Sequence, residues 1–268
     1  MNKNLYLKEL KRNRKNLLIW MSIIVGFTFM VLSIYPYMAE MGNNMTQLLD
    51  SMPVEIQKAM GMDANTWSSI LGFYSTYYGV YIVVLLSIYT TSTGATIISK
   101  EEKDKTAEFL LTKPISRQNI VISKLMALFT LCLIIYFVQV ICAVLGVLLF
   151  SQNPVNWENF FLMHLGGFVL MIFFTCIGVL LSMFLQPKKN FMGMVVGITF
   201  GSYFVNAVSK STDTTEWLGY FSPFHYMNFE ITDPGYSFDY ISGVIMLVMG
   251  IAMLLYSNKK YGKKDIAT

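Results

Sequence analysis

Six stretches of this chain carry no Asp, Glu, Lys or Arg, and each is long enough to cross a lipid bilayer. They lie between Lys15 and Glu40, Asp63 and Lys100, Lys124 and Glu158, Glu158 and Lys188, Lys189 and Lys210, and Asp239 and Lys259. A helical crossing needs roughly 20 apolar residues, and a charge at its centre costs about 2.5–3.5 kcal/mol. The fold expected is therefore all-α: a polytopic membrane protein with six transmembrane helices near 17–37, 70–98, 125–150, 160–186, 191–208 and 240–257. Charged residues make up 13% of the chain, against about 25% in soluble domains. No residues are left over for a second domain, so 1–268 reads as one membrane domain.

The basic residues orient the spans. Six lie in the N-terminal arm (Lys3, Lys8, Lys11, Arg12, Arg14, Lys15), six between 100 and 124, two at Lys188 and Lys189, and four in the tail. Only Lys58 and Lys210 fall in the other loops. The positive-inside rule places the first set in the cytoplasm. Both termini are then cytoplasmic, and loops 39–68 and 209–239 are extracellular. The net charge of +4 is an orientation signal and does not point to nucleic acid. The first apolar run is too long for a signal-peptide h-region and lacks a small-residue cleavage site.

Residues 1–16 read either as a short amphipathic helix on the inner membrane surface, with Leu7 and Leu10 opposed to Lys8, Lys11 and Arg12, or as a plain basic orientation signal. In loop 39–68 an apolar helical face is expected, broken at Pro53. The aromatics of loop 209–239 (Trp217, Tyr220, Phe221, Phe224, Tyr226, Phe229) suit anchoring at the membrane boundary. The end of the second span is rich in hydroxyls, from Tyr89 to Thr93. They either line a cavity or bond back to their own helix. Gly193, Gly197 and Gly201 recur every fourth residue of the fifth span and permit close helix packing, within one protomer or across a dimer. Cys132, Cys142 and Cys176 have no metal-ligand spacing and read as small buried apolar residues. His164 lies near the outer end of its span, where a hydrogen-bonded structural role is expected. No Asp, Glu, Lys or Arg is expected inside the membrane, which argues against a proton- or sodium-coupled carrier.

Ten of the 36 charges cluster between Lys100 and Lys124. Within 100–113, Glu101, Asp104, Lys105 and Glu108 share one helical face, and Ala107, Leu110 and Leu111 another. Glu101 and Lys105 form a favourable i,i+4 pair. Pro114 stops this helix, and Ser116 or Asn119 can cap the next. The residues alone allow a partner-binding helix or a solvated connector.

The run Lys105-Thr106-Ala107-Glu108-Phe109-Leu110-Leu111-Thr112-Lys113-Pro114-Ile115-Ser116-Arg117, with Glu101, Glu102 and Lys124 around it, resembles the coupling segment of ABC-2 type permeases. These are the membrane subunits of bacterial ATP-binding-cassette exporters. The run Tyr220-Phe221-Ser222-Pro223-Phe224-His225-Tyr226 resembles the family's segment before the last helix. Lys105 stands where family members commonly have Gly. The resemblance implies a cytoplasmic coupling helix at 99–117, with Glu101, Glu102, Asp104, Thr106, Glu108, Phe109, Leu110 and Leu111 touching a separate ATPase. It further implies two ATPase copies that bind ATP and Mg, a second permease copy (this chain or a related one) and residence in the bacterial plasma membrane. No G-x-x-x-x-G-K-[ST] loop, which would cradle nucleotide phosphates, occurs in this chain. The expected activity is export of an amphipathic or hydrophobic substrate, peptides first. A membrane sensor or scaffold that only relays ATPase state is the alternative. An integral membrane enzyme would need a catalytic constellation that His164 and His225 do not supply.

Overall fold

The computed structural model describes residues 2–41, 51–60, 69–100, 116–184, 191–231 and 236–263. It consists of α1 (Lys3–Glu40), α2 (Val54–Met60), α3 (Ile70–Tyr77), a π-helical turn (Tyr78–Ile82), α4 (Val83–Ile97), α5 (Arg117–Phe150), α6 (Trp157–Ser182), α7 (Phe191–Ser209), two 3-10 segments (Asp213–Phe221 and Pro223–Tyr226) and α8 (Tyr240–Lys263). Six helical units are long and apolar enough to cross a membrane: α1, the α3–π–α4 unit, α5, α6, α7 and α8. This matches the all-α, six-span expectation.

The second and fourth spans form the centre. In their most apolar windows 72% and 67% of residues are buried, against 22–33% for the other four. The peripheral helices turn residues such as Phe137, Ile141, Leu149, Phe204, Ile241 and Leu255 outward. An apolar surface this extensive suits lipid. The helix contacts fix the chain directions. Tyr74 meets His164, and Thr91 meets Phe174, so the second span runs parallel to α6. Gly250 lies against Cys176, and Lys260 over the Phe184 ring, so α8 also runs parallel to α6. Asn2 meets Ser123, so α1 and α5 start at the same end. The start of α1 and the end of α8 therefore lie at the end of the bundle where α4 stops and α5 begins.

Close backbone contact holds the centre together. A Cβ on Gly94 would lie 2.9 Å from the carbonyl oxygen of Thr175, and one on Gly178 would collide with the carbonyl of Thr91. A Cβ on Gly167 would collide with the Tyr78 hydroxyl. Thr91 Oγ1 donates across the seam to Phe174 O at 3.2 Å, and Thr90 Oγ1 reaches Met171 O at 3.5 Å. Small residues that allow close approach, with hydroxyls bonding across, stabilise helix pairs where lipid supplies no hydrophobic drive. Thr93 and Ser92 bond back to Tyr89 O at 2.8 and 2.9 Å. The hydroxyl-rich end thus divides between local bonds and bonds to its neighbour.

The glycines of the fifth span behave differently. Among the described residues, a Cβ on Gly193, Gly197 or Gly201 meets no heavy atom within 4 Å. Packing of this stripe inside the protomer, one of the two expected arrangements, is not found among the described residues. Close contacts between spans fall instead on glycines such as Gly94, Gly146, Gly167 and Gly178, which lack the four-residue repeat. The N-terminal arm also departs from expectation. It forms no separate surface helix, because α1 runs unbroken from Lys3 to Glu40, through Pro36 near its end. Its buried face carries Leu5, Glu9, Asn13 and Leu17, while Leu7 is exposed.

In the expected outer loop α2 begins immediately after Pro53. Trp217, Tyr220 and Phe221 are exposed, as boundary anchors should be, but Phe224 is buried against Phe174 and Tyr203. The 3-10 segments are tied to α7 by Ser222 Oγ to Ser202 O (2.7 Å) and Thr215 Oγ1 to Val208 O (2.8 Å). Asp239 caps α8 by accepting from the amides of Ile241 and Ser242 at 3.0 and 3.1 Å. The Ser242 hydroxyl and amide hold the Asp239 carboxyl below its usual pKa. Cys132 and Cys176 are buried, Cys142 is half-buried, and all three are free thiols.

Gly178→Leu should force α4 away from α6, at the roughly 1–3 kcal/mol or more of an overpacked core. Thermal unfolding followed by size-exclusion of the detergent-solubilised protein should show a clear drop in midpoint; an unchanged midpoint would remove Gly178 from the central seam.

Candidate functional site

Three helix ends converge where the chain enters and leaves the charged segment. The α4 C-terminus leaves carbonyls without intrahelical donors, as every helix does. The Lys124 side chain from α5 meets this need. It is fully buried and its Nζ donates to Ile97 O at 2.7 Å. A buried ammonium is costly unless bonded, and the negative end of a helix dipole is a favourable place for it. Lys124 thereby ties the helix before the segment to the helix after it. Ser116 caps α5 by accepting from the Asn119 amide at 3.3 Å, as one of the two expected caps.

The N-terminal arm closes the same end. Asn2 caps α1 through its side chain, which accepts from the Leu5 amide at 3.1 Å, and its backbone amide donates to Ser123 Oγ at 2.7 Å. Tyr6 and Thr130 hydroxyls meet at 3.1 Å. Asn13 Nδ2 donates to Glu9 O at 2.9 Å, and Lys100 Nζ reaches Asn13 Oδ1 at 3.5 Å. Glu9 is fully buried, with Arg12 Nη1 3.9 Å from its carboxylate. Glu9 and Lys124 are both enclosed at this end of the bundle, beyond the expected spans 17–37 and 125–150. Each lies outside the charge-free runs, and the fold buries it by laying the arm along α5. The spacing Leu5, Glu9, Asn13, Leu17 was the available signal, because four-residue steps place all four on one face.

Glu101, Glu102, Asp104, Thr106, Glu108, Phe109, Leu110 and Leu111 lie outside the described residues, as does the 101–115 stretch containing them. The described structure fixes the flanks of that stretch: Lys100 on one side, Ser116 and Arg117 on the other.

Deeper in the bundle a second polar group is enclosed. Gln139 Nε2 donates to the Tyr74 hydroxyl at 2.8 Å, and that hydroxyl lies 3.2 Å from His164 Nε2. His164 Nδ1 is 2.8 Å from Phe160 O. A carbonyl can only accept, so Nδ1 carries the proton and Tyr74 donates to Nε2. The Tyr136 hydroxyl donates to His164 O. The chain of donors joins α3, α5 and α6 and satisfies the imidazole, in keeping with the structural role expected for His164. It contains no acid or base beyond the imidazole.

Comparison with known proteins bears on the whole bundle. The family model described as "ABC-2 family transporter protein" matches residues 3–260. A relative named "Uncharacterized membrane protein YdbK", from Bacillus subtilis (strain 168), is 34% identical over 104 residues. That match covers 39% of this chain and 42% of the relative, so the chain spans less than half of the relative's length.

Lys124→Met should leave the Ile97 carbonyl without its charged donor and cost about 1.5–3 kcal/mol. Hydrogen exchange should rise at residues 95–100 and 116–124, while exchange within α6 stays unchanged. Equal protection of both flanks in the variant would show that Lys124 does not join them.

Proposed function

Because the chain belongs to the ABC-2 family of transporter proteins, we propose that it is the membrane-spanning permease subunit of an ATP-driven exporter. The family match across 3–260, coextensive with the six-span bundle, carries this reading. Its cargo is amphipathic or hydrophobic, with peptides the first class to test. ATP and Mg are bound by a separate ATPase, present in two copies. The surface that receives it is the segment 101–111, with Glu101, Glu102, Asp104, Thr106, Glu108, Phe109, Leu110 and Leu111 as contacts.

The flanks of this segment support the assignment. Lys124 joins α4 to α5, and the N-terminal arm is bonded to Ser123 and Lys100. A push on the segment would reach the second span directly, and through Gly94 and Gly178 it would reach the fourth. Closure of the ATPases would in this way rearrange the two central helices. The termini and this end of the bundle face the cytoplasm of a bacterial plasma membrane, as the basic residues argue.

The second permease is a further copy of this chain. The open stripe Gly193, Gly197 and Gly201 supports a contact across the dimer, since a surface without side chains lets a partner helix approach closely.

Two measurements test the reading. Purification of the full chain from native membranes should recover a soluble ATPase, and Glu108→Lys or Phe109→Asp should lose it while the thermal midpoint of the permease stays unchanged. Retention of the ATPase and of its stimulation in both variants would exclude the segment as the docking surface. Gly197→Leu should leave the protomer's thermal midpoint intact and shift the dimer towards monomer by light scattering. A variant that stays dimeric would exclude the glycine stripe from the interface.

A further inference from the structure

A cavity of about 50 Å3 lies at the end of the bundle opposite the termini. Its walls are the start of the second span (Ser75, Thr76, Gly79), the end of α7 (Tyr203, Asn206, Lys210) and the loop residues Phe224, Met227, Phe229 and Glu230. That volume admits a few waters, at roughly 10–15 Å3 each, or one small polar head.

Its polar lining is biased towards acceptors. Asn206 is 8% exposed, and its Oδ1 is buried with no hydrogen-bond partner. Ser75 spends its proton on Gly72 O, at 2.8 Å, so its hydroxyl oxygen can act as an acceptor. Glu230 adds a carboxylate. The apolar walls are aromatic, from Tyr203, Phe224 and Phe229, and ring faces attract cations. Among the described residues the cation in the lining is Lys210, whose Nζ sits 2.6 Å from Glu230 Oε1. That pair is partly exposed, at 34% and 43%, and ion pairs so exposed hold weakly. An incoming cation can therefore displace it.

We propose that this cavity binds the ammonium end of an amphiphilic amine. The ammonium donates to Asn206 Oδ1 and Glu230, with the aromatic rings around it and the alkyl tail leaving the cavity. Lys210 acts as a tethered competitor that fills the carboxylate in the absence of ligand. Under the permease reading this adds organic cations to the cargo or effector classes, but the binding itself requires no ATPase.

The test uses the full chain in lipid nanodiscs, with n-hexylammonium as probe and hexan-1-ol and hexanoate as controls, followed by calorimetry. Saturable binding of the amine alone is expected. Asn206→Leu and Glu230→Gln should each weaken it about tenfold, the scale of a lost hydrogen bond to a charged group. Lys210→Met should tighten it, a gain that misfolding cannot produce. Equal binding of hexanol, no saturable amine binding, or an unchanged affinity in Lys210→Met would overturn the assignment. Loss of ATPase recovery with amine binding intact would count against the permease reading and leave this site standing.

Discussion

The backbone contact between the second and fourth spans is the constraint on which the other helices depend. At Gly94 and Gly178 the two helices come within the reach of a single methyl group, and Thr91 bonds across them. Burial within the bundle is concentrated on these two spans. Helices α1 and α5 pack together along one flank, and α7 and α8 meet the centre on their own faces. In lipid this seam matters more than apolar burial, because leaving lipid for protein yields little transfer energy. Packing and hydrogen bonds remain.

The π-helical turn at Tyr78–Ile82 sits within the same span. Such turns shift the register of the residues beyond them and recur at functional sites. Here the turn presents Tyr78 to Gly167 on one side and Gly79 to Phe229 on the other. One local irregularity thus serves both the central seam and the wall of the outer cavity. The polar chain through Tyr74, Gln139 and His164 lies on the span just before it and fixes α3 against α5 and α6.

At the opposite end the logic is electrostatic. A helix that stops inside a bundle needs donors for its last carbonyls, and Lys124 supplies one from a neighbouring helix. The same bond fixes where the charged segment starts relative to where it ends. The N-terminal arm adds further bonds to these flanks, and it continues α1 without a break.

The charge-free runs by themselves determined the all-α class and the six helices long and apolar enough to cross a membrane, because a charge in hydrocarbon is too costly to hide. The cap at Ser116 and the structural role of His164 were also legible, since both follow from local residue types. The burial of Glu9 and Lys124, the seam at Gly94 and Gly178, and the open stripe at Gly193, Gly197 and Gly201 were not. A four-residue glycine repeat shows that a helix can be approached closely, but only the packed bundle decides which helix does so. Likewise Phe224 and Tyr220 share one aromatic run, and tertiary contacts alone turn the first inward and leave the second exposed. Spans are set by each segment's own solvation, whereas these choices depend on residues far apart in the chain.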